Sequence, residues 1–236
     1  MCTVTFHPVS KTEYILTANR DEHVKRDAVF PMQYKIHNTN VMFPRDKTAN
    51  GTWIAATPKI TLCLLNGAFK KHIRENSYRM RRGIMLLDFF KFKNANKFIS
   101  QYDFNGIEPF TLLVIDAAKK ISLNEIRWDG TKKYFAKKNP SKNHIWSSAT
   151  LYPEKIIRER EKWFRKFLGD NPALDQDKIL EFHHFAGKGD KKYNLVMQRS
   201  RALKTVSITS ILKTNDSSNI IYEDILRGIK YQRRIY

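Results

Sequence analysis

The amino-acid sequence predicts an α+β fold with largely antiparallel sheets. Strand-like segments come in runs and helical ones in a middle block, which separates this chain from a doubly wound parallel fold. Consecutive strand candidates are joined by short polar turns such as Ser10-Lys11-Thr12 and Asp116-Ala-Ala-Lys-Lys120, as hairpins require. With 236 residues, 42% hydrophobic and 12% aromatic, the chain is globular and is expected to form one domain over residues 1–236.

The alternating run Cys2-Thr3-Val4-Thr5-Phe6 puts Cys2, Val4 and Phe6 on one strand face. Pro8 ends it, and Tyr14-Ile15-Leu16-Thr17-Ala18 reads as the returning strand of a hairpin over 2–18. Antiparallel pairing sets the start of the first strand opposite the end of the second. A polar turn at Asn19-Arg20-Asp21-Glu22 is therefore expected beside Cys2. Further strands are expected at 52–57, 60–66, 110–116, 120–128 and 143–148. Phe110-Thr-Leu-Leu-Val-Ile-Asp116 is nearly continuous in apolar residues, as a strand buried on both faces would be. Met80, Ile84 and Leu87 share one helical face within 78–92, and a second helix follows at 95–102. A third begins at Pro153 and stops before Gly169, with the stripe Ile156, Ile157, Trp163, Phe164 and Phe167. A shorter helix at 175–185 precedes strands at 205–211 and 219–222.

The net charge is +20. Such a surface attracts nucleic acid, acidic membranes or anionic small molecules. Its basic residues are spread along the chain in pairs such as Lys70-Lys71, Arg81-Arg82 and Lys137-Lys138, with no nucleic-acid motif. Specific nucleic-acid binding is not expected; a merely solvated basic surface is the simplest reading, and an anionic small-molecule substrate is the functional alternative. Residues 1–20 form no secretory apolar core, and runs such as Ile84-Met85-Leu86-Leu87 are far shorter than the roughly 20 residues that span a bilayer. A cytoplasmic protein without a transmembrane segment is expected, its oligomeric state left open. Cys2 and Cys63 read as reduced thiols.

Cys2 leads the residues suited to chemistry. Removal of Met1, favoured by the small side chain that follows, leaves a cysteine bearing a thiol and a free α-amine. The amine, with a pKa of about 7.7–8.0, can take the thiol proton and later return it to a leaving group. The alternative is a small side chain packed under the first strand. Beside it, Asp21 could hold the α-amine, Arg20 could stabilise a thiolate or oxyanion, and Asn19 could hold the turn, with Glu22 adding a second carboxylate. Gly51-Thr52-Trp53 could support the site or form a tight turn into a buried Trp53. Cys63 reads as core, and the adjacent His183 and His184 as solvated or core-edge residues, so no metal site is expected.

Met-Cys-Thr-Val-Thr-Phe and Thr17-Ala-Asn-Arg-Asp-Glu22 resemble the NRDE family, also called the transport and Golgi organisation family. Gly51-Thr-Trp-Ile54, Leu64-Leu-Asn-Gly67, Glu108-Pro-Phe110 and Ile145-Trp-Ser-Ser-Ala-Thr-Leu-Tyr152 continue the match along the chain. That family resembles, more distantly, the N-terminal-nucleophile (Ntn) hydrolases of the choloylglycine hydrolase and penicillin V acylase type. The resemblance implies a four-layer αββα sandwich and a nucleophile at Cys2. It also implies a supporting pair Asn19 and Asp21, and an oxyanion donor at Asn66, ahead of Gly67. Two positions depart from the hydrolases. Ala18 stands where they carry an arginine, the arginine here following at Arg20, and Ser148 stands where they use a second asparagine. Their late basic residue has no clear equivalent, Lys204 being the nearest. Two functions follow: an amidohydrolase or acyltransferase acting on a small non-peptide amide or thioester without a cofactor, or a non-catalytic carrier or trafficking protein. As a carrier it would handle lipid-like ligands or haem, bound without covalent attachment.

Overall fold

The computed structural model describes residues 3–187 and 189–235. The chain opens with β1 (Thr3–Pro8), β2 (Tyr14–His23), β3 (Ala28–Ile36), β4 (Thr39–Asp46), β5 (Ile54–Ala56) and β6 (Ile60–Asn66). Helices α1 (Arg82–Phe92) and α2 (Ala95–Gln101) follow, then β7 (Phe110–Asp116), β8 (Ser122–Trp128), β9 (Lys133–Lys138) and β10 (His144–Ser147). Helices α3 (Glu154–Asp170) and α4 (Gln176–Phe185) lead into β11 (Leu203–Lys213), β12 (Ser218–Asp224) and β13 (Ile229–Ile235).

Two antiparallel sheets form, in the orders β10-β1-β2-β11-β12-β13 and β3-β4-β5-β6-β7-β8-β9. Strand alternation sorts their side chains into layers. Val4, Phe6, Leu16 and Ala18 of the first sheet meet Cys63, Leu65, Leu113 and Ile115 of the second in one buried cluster. The opposite face of the second sheet, including Leu62, Leu64, Leu112 and Val114, packs on Met85, Phe89 and Phe90 of α1 and Phe98 of α2. Ile15 of the first sheet packs outward on Phe164 of α3 and on Ile179 and Phe182 of α4. The result is the four-layer αββα sandwich, with a strand-buried core between the sheets and a separate core under each helical layer.

β6 and β7 occupy the expected spans 60–66 and 110–116 because both faces of each strand meet apolar partners. β3, β4, β9 and β13 have no counterpart among the expected strands. β3, β9 and β13 each close an edge of a sheet and carry the exposed lysines or arginines that protect edges. Those same residues hide the alternation, while in β4 the buried run Val41, Met42, Phe43 and Pro44 is short and flanked by polar residues. β2 runs five residues beyond the expected strand, so 19–22 is strand and not turn.

Helix α1 starts at Arg82, four residues later than expected, because its first turn is pressed against the loop ahead of β5. Thr52 N donates to Gly83 O at 3.2 Å. A Cβ on Gly83 would lie 2.7 Å from Thr52 O, and one on Gly51 would lie 2.5 Å from the Gly83 carbonyl carbon. Gly83→Ala should therefore lower stability by roughly 1–3 kcal/mol through overpacking, read as a fall in the urea midpoint. Gly169→Ala, in α3 with nothing within 4 Å of the added Cβ, should instead be neutral or stabilising by up to about 1 kcal/mol.

Candidate active site at the start of the first strand

Cys2 lies outside the described residues. Thr3, which follows it, is fully buried and pairs with Asn19 of β2 on one side and Ser147 of β10 on the other. The Thr3 hydroxyl oxygen accepts a hydrogen bond from Nη1 of Arg160. Arg160 is itself fully buried on α3. Its Nη2 donates to the carbonyls of Tyr193 and Asn194 at 2.9 and 2.8 Å, and its guanidinium carbon lies 3.6 Å from the centroid of the Tyr152 ring. Among the described residues no carboxylate pairs with Arg160. Its charge is held by two carbonyls, a hydroxyl and an aromatic face, a geometry in which cation–π attraction is strongest because water is absent. The Tyr152 hydroxyl donates to Oδ2 of Asp21, and Thr205 donates to Oδ1. Asp21 is thus a buried carboxylate held from two sides, with Arg199 also lying over Tyr152, at 5.3 Å.

Asn19, on the same face of β2 as Asp21, is locked by α4. Its Nδ2 donates to Leu195 O at 2.9 Å and to His183 O at 3.2 Å. Its Oδ1 meets Nδ1 of His183, whose Nε2 lies 2.7 Å from the Thr5 hydroxyl. An amide oxygen only accepts, so Nδ1 carries the proton and Nε2 accepts from Thr5, which makes the ring neutral. Burial, then the nearby His184 and Arg160, push the His183 pKa from its ordinary 6.5 down to about 3. His183 was expected to be solvated or at the core edge. It is fully buried, and it is His184 that faces outward, to Glu223 at 2.6 Å.

Arg20 occupies the opposite face of β2 because successive strand residues point to opposite sides. Its Nη2 donates to Asp46 Oδ2 at 2.7 Å, Nη1 donates to Arg26 O at 2.9 Å, and the guanidinium lies 4.3 Å over the ring of the buried Trp53. Arg26 links Asp46 at 2.7 Å to Glu22 at 2.6 Å. Arg20, Asp46, Arg26 and Glu22 therefore form an ion network, with Trp53 stacked on Arg20, on the other side of the strand from Asn19 and Asp21. Lys204 pairs with Glu22 in the β11–β2 register.

Asn66 ends β6, and Gly67 turns the chain with φ of +80°. Only glycine suits that turn, since a Cβ there would also lie 2.8 Å from Thr150 Cγ2. Ser148, next to the Thr3 partner Ser147, is buried and donates to Asn66 O at 2.9 Å. The half-buried Asn66 side-chain amide makes no hydrogen bond among the described residues. The structure thus brings Asn19, Asp21, Arg160 and Tyr152 to the first described residue of β1, and joins Asn66 to Ser148 at the adjoining corner.

Arg160 escaped the sequence reading and His183 was read there as solvated or core-edge, yet a common signal marks both. Arg160 falls in the apolar stripe between Ile156 and Phe164, and His183 stands four residues after Ile179, so each polar residue replaces an apolar one on a buried helical face. Elsewhere, a cavity of about 150 Å³ bordered by Ile60, Asp116, Asn124 and Lys137 opens at the other end of β6 and β7. It lies roughly 20 Å along the strands from Asn66 and belongs to no part of this cluster. Among the described residues no group of three or more His, Cys, Asp or Glu could hold a metal ion, and no helix is long and apolar enough to cross a membrane.

The family profile described as Transport and Golgi organisation 2 matches residues 1–224. The chain belongs to this family. No curated relative matches the sequence. Among solved structures, penicillin V acylase from Agrobacterium tumefaciens aligns over 99% of this chain and 86% of its own, with a TM-score of 0.54 at 10% identity. That likeness places the Transport and Golgi organisation 2 chain on an Ntn-hydrolase fold, in agreement with its four layers.

The His183 tie sets a pH dependence for this family member. A base whose folded pKa is depressed stabilises the fold above its unfolded pKa, and that stability is lost as pH falls toward the folded value. Unfolding free energy should therefore drop as pH falls from 6.5 toward about 3. His183→Gln should be less stable at neutral pH by roughly 1–3 kcal/mol but should lose the part of the slope between about pH 6.5 and 5, above most carboxylate titrations. Urea unfolding at stepped pH measures both; an unchanged slope in the variant would mean that His183 is not the titrating group.

Proposed function

We propose that this Transport and Golgi organisation 2 family protein is a cysteine amidohydrolase or acyltransferase of the Ntn type, acting on a small non-peptide amide or thioester. The observation that supports it is the buried polar setting at the start of β1. Asp21 and Arg160 are both withdrawn from water and fixed by hydrogen bonds beside Thr3, where a packing role for the N-terminus alone would need only apolar neighbours.

In this reading Met1 is removed and the α-amine of Cys2 takes the thiol proton. The sulfur attacks the substrate carbonyl, forming a C–S bond and an oxyanion. The Asn66 amide, without a side-chain partner, is the proposed donor to that oxyanion, worth roughly 3 kcal/mol in comparable sites. Collapse breaks the C–N or C–S bond of the substrate, and the α-ammonium returns its proton to the departing amine or thiol. Water, or an acceptor nucleophile, then attacks the thioester on Cys2 and regenerates the thiol. Asp21 is assigned to holding the α-ammonium. Ser148 is assigned to positioning, since its hydroxyl already donates to the Asn66 carbonyl. Ala18 lacks the arginine of the related hydrolases, and Arg160 supplies a guanidinium to the same end of β1 from α3. Arg20, Glu22, Trp53 and Gly67 act as support, holding the strand and the corner in place. The net charge of +20 favours an anionic substrate.

Labelling decides whether Cys2 is an activated nucleophile. Cys63 is fully buried, and burial pushes its thiol pKa up to about 12, so it should stay unmodified in the folded protein. Intact mass is expected to show Met1 absent and one rapid alkylation, at Cys2, at neutral pH. Retained Met1, or a Cys2 that reacts no faster than a free cysteine, would overturn the reading. Where turnover of an amide or thioester is found, Cys2→Ala should abolish it. Asn66→Ala should lower it roughly 100- to 1000-fold with the unfolding midpoint little changed.

A further inference from the structure

The segment from Gly67 to Met80 leaves the Asn66 corner and carries two large apolar side chains into solvent. Ile73 is 95% exposed and Phe69 54%. Tyr134, at the start of β9, lies edge-on to Phe69 with ring centroids 4.8 Å apart and is also exposed. Lys70, Lys71 and Arg74 interleave with them, all exposed and without an ion pair among the described residues. The acids close by are Glu75, Asp129, Glu108 and Asp103: Asp129 accepts from the Tyr134 hydroxyl at 2.9 Å, Glu108 is taken by His72 and Arg82, and Asp103 by Arg79.

This exposure belongs to an anchored segment. Thr111 Oγ1 holds Gly67 O at 2.9 Å, and Arg127 holds Ala68 O at 2.7 Å while lying 4.8 Å over the Phe69 ring. His72 meets Glu108 at 3.2 Å, and Arg79 donates to the carbonyls of Asn105 and Asp103 at 2.9 and 2.6 Å. An isolated exposed apolar residue is ordinary. Phe69, Ile73 and Tyr134 set among unpaired cations on a fixed backbone instead match an anionic lipid surface, where apolar side chains enter the headgroup boundary and lysines meet the negative surface potential.

We propose that the Phe69–Ile73–Tyr134 tip, with Lys70, Lys71 and Arg74, docks this protein on anionic membranes. Docking holds the Asn66 corner, from which the segment departs, against the lipid. The proposal is independent of the role given to Cys2.

The test is flotation of the full chain with vesicles of phosphatidylcholine alone or mixed in equal parts with phosphatidylserine. Capture is expected on the mixed vesicles only and should weaken as salt rises. Replacing Lys70 and Lys71 together by alanine should lower partitioning roughly 20- to 30-fold. Ile73→Ser, at a site too exposed to affect folding, should lower it roughly tenfold. Absence of capture would overturn the proposal. So would capture that both variants retain in full, since that would assign binding to the diffuse charge of the whole surface. Binding to soluble heparin that competes with the vesicles and ignores Ile73→Ser would make the patch a polyanion site and would also overturn it. Ile73→Trp gives a second reading: its added emission should shift to the blue on mixed vesicles, and an unshifted band would contradict insertion of the tip.

Discussion

Everything at the candidate site depends on β2 being buried on both faces. Tyr14–His23 runs between β1 and β11 with one face against the second sheet and the other against the α3–α4 layer. A strand in that position must satisfy every polar side chain it carries with a protein partner, because burying an unpaired one costs on the order of 1–3 kcal/mol, and more for a charge. Asn19, Arg20 and Asp21 are consecutive, so alternation sends Asn19 and Asp21 toward the helices and Arg20 toward the second sheet. Each direction then needs its own set of partners.

The two buried guanidiniums show how differently those partners can be chosen. Arg20 meets the carboxylate of Asp46, which also takes Arg26. Its charge is neutralised locally, and the arrangement fastens one sheet to the other. Arg160 meets carbonyls, the Thr3 hydroxyl and the Tyr152 ring, while the carboxylate of Asp21 is separated from it by that same tyrosine. A hydroxyl and two carbonyls solvate a guanidinium without cancelling it, so positive potential persists at the start of β1. The Asp21 carboxylate takes its hydrogen bonds from the Tyr152 and Thr205 hydroxyls instead. A dry interior strengthens such fields, and side chains fixed by hydrogen bonds need not reorganise when charge develops nearby.

Much of the fold was legible in the sequence wherever a segment is apolar on one or both faces. The strands at 60–66 and 110–116 and the α3 stripe follow directly from hydrophobic pattern. The edge strands β3, β9 and β13 did not, since edge protection replaces the alternating apolar residues with lysine and arginine, and neither did the interior β4, whose apolar run Val41-Met-Phe43 is short and flanked by polar residues and Pro44. The polar stretch 19–22 looked like a turn because polarity in sequence usually means contact with water. Here the water is replaced by groups more than 100 positions away: His183 and Leu195 for Asn19, Tyr152 and Thr205 for Asp21. No local pattern carries that information. The residues of the site in helices, Arg160 and His183, were hidden among charged neighbours, although each breaks an apolar stripe at helical spacing.

That common disguise has a physical origin. A polar residue in the buried stripe of a helix lowers the apolar area that docks the helix, so it persists in a stable packing only where the strand beneath offers a matching polar group. α3 and α4 each bring one such residue over the β1–β2 pair, and the two meet adjacent hydroxyls of one strand face, Thr3 and Thr5. Two threonines on the buried face of β1 and Thr17, Asn19 and Asp21 on the same face of β2 thus form a single polar layer, roofed by two helices and buried from solvent. The layer carries one neutral imidazole, one guanidinium and one carboxylate. His183 stays neutral because burial, then the nearby His184 and Arg160, disfavour its cation, while the guanidinium of Arg160 is held by carbonyls, the Thr3 hydroxyl and the Tyr152 ring at the start of β1. Helix docking and the electrostatics of that strand end are consequently set by the same few hydrogen bonds, and neither can be altered without disturbing the other.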